Sequence, residues 1–172
     1  MRLAVEPDRL SVAWRAVTAS HLVHAGMFDE AIAEVKKAID MDPHNGVARF
    51  ILVEAYLETG PLARVMAAAE QAYEASPWYG NCVAVFAGLL AQAGQAARGE
   101  ELMHEVGHTA NAFCRVFYHV LRSELEQAAE WYEKSIERRE LFALICAKAP
   151  ITRALRESPY WPRLSKLMKL PA

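Results

Sequence analysis

The chain has 172 residues, 53% of them hydrophobic and many of them alanine, with 21 acidic against 19 basic side chains and a net charge of −2. That length suits one compact unit or a short solenoid with a real core. The charges are scattered rather than blocked, which argues against a nucleic-acid face or a polybasic membrane patch.

The first residues, Met1 to Arg9, include Glu6, Pro7 and Asp8 and lack the apolar centre of a signal peptide. Residues 1–11 read instead as the end of a preceding helical repeat or as a leader, so the chain is expected to be cut from a longer repeat-bearing protein. A first unit follows over 12–45. Its opening helix carries Trp14, Val17, Leu22 and Val23, and its second carries Ala31, Ile32, Val35, Ala38 and Ile39 at helical spacing. Gly26 ends the first helix, Asp29 and Glu30 sit where the dipole of the second favours negative charge, and Asp42-Pro43 stops it.

A second unit over 46–79 repeats the pattern with Leu52, Tyr56, Gly60, Ala72 and Pro77, and Pro61 stands at a helix start. A third over 80–108 keeps Phe86, Ala87, Leu90 and Gly94, places Gly99 at the closest helix-to-helix contact, and lacks the closing proline. A fourth over 109–139 is the most degenerate. Ser123 replaces the turn glycine there, while Ala128, Trp131, Tyr132 and Ile136 keep the second-helix stripe. Gly26, Gly60 and Gly94 stand 34 residues apart, and Pro43 and Pro77 keep the same interval. Such a beat marks helix-turn-helix units that stack to bury their apolar faces.

These small, aromatic, glycine, alanine and proline positions resemble the tetratricopeptide repeat family. Arg15, where a tryptophan is usual, Val65, where a small residue is usual, and the short third unit depart from its pattern. The resemblance implies an all-α fold, a right-handed solenoid of about four repeats with a helical C-terminal cap over 140–172. The segments Ala154 to Pro159 and Trp161 to Pro171 resemble the cap on repeat arrays of bacterial adenylate cyclases, serine/threonine kinases and winged-helix transcriptional regulators. In that reading Leu141 to Ala147, Leu164, Leu167, Met168 and Leu170 cover the last repeat, and Arg163, Lys166 and Lys169 point to water.

Family resemblance implies a concave partner-binding groove lined by the first helix of each unit. Carried over by register, its positions are Ala13, Ala16, Ser20 and Val23, then Val47, Phe50, Glu54 and Leu57, then Asn81, Ala84, Gly88 and Ala91, and in the fourth unit Phe113, Phe117 and Val120. Phe50, Phe113 and Phe117 are the candidate anchors for an extended or helical protein segment. The lysines, asparagine and arginine of a chaperone-tail clamp are missing from Ala16, Ser20 and Ala84, which excludes that specialisation.

Little else suggests chemistry. His104-Glu105-Val106-Gly107-His108 spells the H-E-x-x-H of zinc hydrolases, in which two imidazoles share one helix face and the glutamate serves as base. The repeat register puts both histidines on the solvated side of their helix, and Gly107 loosens that helix. His21, His24, His44 and His119 form no ligand pair, and phosphate-binding glycine motifs and a nucleophile elbow are absent. Cys82, Cys114 and Cys146, an odd number without a close pair, read as free packing thiols in a reducing cytoplasm. The longest apolar stretch, Cys82 to Ala91, is too short to span a bilayer. The expectation is a cytoplasmic, cofactor-free interaction scaffold of a bacterial signalling or transcription regulator. The alternatives are a self-associating module and, remotely, a zinc hydrolase at His104 and His108.

Overall fold

The computed structural model describes residues 9–107 and 111–170, with no strand among them. The helices fall into two compact units, Met1–Ser76 and Pro77–Ala172.

In the first unit, α1 (Arg9–His24), α2 (Phe28–Met41), α3 (Gly46–Thr59) and α4 (Leu62–Ala75) each pack on the next, and α1 also packs on α3. Two stripes of small apolar residues make the α1–α2 contact. Val12, Ala16, Ala19 and Val23 are buried on α1, and Ala31, Val35 and Ala38 on α2. Trp14 and Val17, the larger side chains expected in that stripe, face solvent instead. Arg15 spans the same pair of helices by an ion pair to Glu34 at 2.7 Å, occupying the position where the family's tryptophan is usual.

The α1–α2 turn is closed by two backbone bonds. Gly26 N–H donates to Val23 O and Met27 N–H to Leu22 O, with Gly26 at φ +76°. This left-handed closure favours glycine because it has no Cβ to clash. Gly60 breaks the parallel. It is extended, at φ −114°, because Pro61 follows and keeps its predecessor out of the helical region. The link after α2 is also tied down. His44 Nδ1 donates to Ala75 O at 3.1 Å, and buried Ser76 Oγ donates to His44 O at 2.8 Å, which joins the α2–α3 turn to the end of α4. His44, isolated in sequence, thus has a structural role.

In the second unit, α5 (Gly80–Gln92) packs on α6 (Ala96–Val106) and α7 (Ala112–Leu121), and α7 packs on α8 (Leu125–Glu137). Residues 82–90 of α5 are buried on every side. Two glycines permit this. A Cβ on Gly99 would lie 2.5 Å from the Ala87 carbonyl oxygen, and one on Gly88 would lie 2.8 Å from Leu121 Cβ. The short elements α9 (Leu141–Ile145), α10 (Arg153–Arg156) and α11 (Trp161–Leu167) all pack on α8, with 3-10 turns between α9 and α10.

This cap is only partly as expected. Ala143, Cys146, Ala147, Leu155 and Leu164 are buried, whereas Leu141, Leu144, Ile145 and Leu167 are exposed. Cap helices this short each bury one side only, so alternate apolar residues are left facing out. Arg163 does not simply point to water, since it pairs with Glu133 of α8. Where glycine is absent the left-handed closure persists. Ser123 (φ 61°), Arg139 (φ 55°) and Lys169 (φ 54°) all adopt it, each with the same pair of backbone bonds as Gly26.

Candidate functional site

Most of the expected groove positions lie in the interior. Ala16, Val23, Phe50, Glu54, Asn81, Ala84, Gly88, Phe113, Phe117 and Val120 are buried; Ser20, Leu57 and Ala91 are half-buried; Ala13 and Val47 are exposed. Phe113 and Phe117 are fully enclosed and therefore cannot anchor a partner as the chain stands. They belong to an aromatic cluster: Phe113 meets Phe117 and Tyr132 edge-on, both at 5.0 Å, and stacks on Phe142 at 6.3 Å. Such pairs add about 0.5–1.5 kcal/mol beyond the area they bury. Phe50 is also core, and Gly88 is a point of helix contact. Asn81 is a satisfied core amide, since its Nδ2 donates to Tyr79 Oη at 3.1 Å and its Oδ1 accepts from Cys114 Sγ at 3.0 Å.

Glu54 is the exception within this buried set. It is 2% exposed, and its Oε1 has no hydrogen-bond partner among the described residues. Burial pushes its carboxyl up to about 8. A buried carboxyl of this kind stays neutral at pH 7, because the charged form is penalised in a low-dielectric interior.

The exposed apolar surface lies elsewhere. On α1 it consists of Trp14, 73% exposed, and Val17, 46% exposed, with Ala13 beside them. Residues three apart share one face of a helix, so Trp14 and Val17 form a continuous patch. The register of α1 is thus rotated from the expected one. Ala16 and Val23 occupy the packing side, and the open side is the one bearing Trp14.

Two polar constellations were not signalled in the sequence. Glu140 accepts from Ala112 N–H at 2.8 Å, Phe113 N–H at 3.0 Å and Ser135 Oγ at 2.9 Å, so a carboxylate just past α8 caps the start of α7. Around the Ser123 turn, Glu124 accepts from His119 Nδ1 at 2.7 Å and from Arg122 Nε at 2.8 Å, while Arg122 also reaches Tyr118 Oη at 2.7 Å. Both join residues far apart or irregularly spaced along the chain, so no fixed interval announces them. Local caps are easier to find: Asn45 accepts from Ala48 N–H and Asn111 from Cys114 N–H, each three residues on.

Only His104 to Gly107 of the H-E-x-x-H sequence lie among the described residues. His104 is exposed on α6, which ends at Val106, where Gly107 takes φ 8° and ψ −75°. His108 lies outside the described residues. Among the described residues no three His, Cys, Asp or Glu side chains gather as metal ligands. No helix among them is long and apolar enough to cross a membrane.

Residues 22–69 match the tetratricopeptide repeat family model. No curated protein matches the chain. The matched span runs from the end of α1 through α3 into α4, where the glycine turn, the proline stop and the consecutive helix packing all occur, so this segment of the first unit is similar to a tetratricopeptide repeat.

Proposed function

We propose that the chain is a non-catalytic protein-interaction region of a cytoplasmic bacterial signalling or transcription regulator. It comprises four repeats at 12–45, 46–79, 80–108 and 109–139 and a cap at 140–172. The reading is supported by the repeat family, whose members generally mediate protein–protein interactions, and above all by the open patch of Trp14 and Val17 on α1. A tryptophan with most of its surface in water is an unused anchor, and aromatic anchors dominate the energetics of protein interfaces.

The partner is a protein or peptide segment that covers Trp14, Val17 and Ala13, and its binding alters an output domain. In the regulator that carries this region, Trp14→Glu should change output as deletion of residues 12–172 does, with unchanged circular dichroism. Identical output from the intact and deleted proteins overturns the regulatory reading. Unchanged output from Trp14→Glu alone overturns the α1 surface.

The same patch favours self-association as a second reading. Light scattering of wild type and Trp14→Glu separates the two: a wild-type dimer that becomes a monomer in the variant assigns the patch to a second copy.

A further inference from the structure

The cap holds a second surface, independent of α1. Ile136, Leu141, Leu144, Leu167, Met168 and Arg139 line a cleft of about 400 Å³ between α8, α9 and α11. That volume falls within the range of about 300–1,000 Å³ seen for ligand sites. Leu141 is 68% exposed, Leu144 57% and Leu167 50%, so the apolar lining is open to solvent.

Charge indicates what would lie in it. Between Glu137 and Leu170 stand eight Lys/Arg and three Asp/Glu, an excess opposite in sign to that of the whole chain. Glu140, the acid at the cleft, is turned inward onto Ala112 N–H, Phe113 N–H and Ser135 Oγ. Arg139 therefore supplies the charge at the rim, and exposed Arg138, Lys166 and Lys169 are the sequence neighbours of the lining residues Arg139, Leu167 and Met168. A recess lined by leucines and flanked by cations complements a segment with an apolar stripe and acidic flanks. An amphipathic helix inserts such anchors at i, i+3 or i+4 and i+7. A flat anionic bilayer cannot fill a recess with side chains, so the concavity favours a peptide over a membrane.

We infer that the cleft of the cap docks an acidic amphipathic helix of a partner protein. This rests on reading the chain as an interaction module but uses a different surface.

The test is fluorescence anisotropy of the whole chain with a labelled 16-residue helical peptide, its leucine stripe flanked by glutamates, beside a lysine-flanked twin. Wild type should bind the acidic peptide at least about tenfold more tightly than the basic one, and added salt should weaken binding. Leu144→Glu, at an already exposed site, should weaken it about tenfold or more. Arg139→Gly suits the left-handed backbone at that position and should weaken binding about threefold while reducing the salt dependence. Trp14→Glu should bind the peptide as wild type does, so failure of the cap reading and failure of the α1 reading are distinguishable.

Equal binding of both peptides, or full binding by Leu144→Glu with native circular dichroism, overturns the inference. Tighter binding to vesicles containing phosphatidylserine than to the peptide overturns it in favour of a membrane. A dimer dispersed by Leu144→Glu overturns it in favour of a second copy.

Discussion

Glu54 makes the protein's stability depend on pH in an unusual direction. Its folded carboxyl titrates near 8, above the ordinary value of 4.5, so the fold retains a proton that the unfolded chain releases. Stability from this group is therefore complete below about pH 4.5, declines as pH rises towards about 8, and levels off beyond. The steepest decline one such group permits is about 1.4 kcal/mol per pH unit. Glu54→Gln should unfold at a higher temperature than wild type at pH 8 and lose most of that advantage at pH 5. Parallel profiles for the two proteins would refute the assignment. Gly99 makes the opposite point about size. One added methyl would meet the Ala87 carbonyl oxygen at 2.5 Å, so Gly99→Ala should lower stability by about 1–3 kcal/mol in thermal unfolding.

At the scale of the element, the periodic glycines are not equivalent. Gly26 and Gly94 are left-handed at φ +76° and +79°, while Gly60 is extended before Pro61. Gly26→Ala should cost about 1 kcal/mol or more, and Gly60→Ala less than that. Ser123→Gly should stabilise by up to about 1 kcal/mol, since serine bears the left-handed strain that glycine avoids. Thermal melts of the three variants check the order, and equal costs at Gly26 and Gly60 would contradict it. The 34-residue beat made the turns legible, as proline and glycine act through local sterics. The register of α1 was not legible. Its buried stripe is Val12, Ala16, Ala19 and Val23, and in an alanine-rich helix small core residues leave no pattern to compete with the conspicuous Trp14 and Val17.

Across the whole molecule, local signals identify the helices and tertiary contacts decide which face is buried and which stays open. The family's groove positions run into the interior at Phe113 and Phe117 because α7 is pressed between α5 and α8. That enclosure depends on neighbours distant in sequence, so residue type alone pointed to anchors. The cap depends equally on distant partners. Glu140 stands 28 residues from Ala112, whose N–H it accepts, and so secures the start of α7 from beyond α8. Glu140→Ala should cost about 1–3 kcal/mol by leaving buried donors unmatched, with a lower melting temperature as the readout. An unchanged melting temperature would mean that water replaces the carboxylate without loss.

All three cysteines, Cys82, Cys114 and Cys146, are buried in the second unit, and the first has none. Burial pushes the Cys114 thiol up to about 12, so it is scarcely nucleophilic while enclosed. A thiol-reactive dye thus becomes a clock for one half of the molecule. Labelling should proceed only as fast as that half breathes open, and fraying confined to the amino-terminal half would leave no mark.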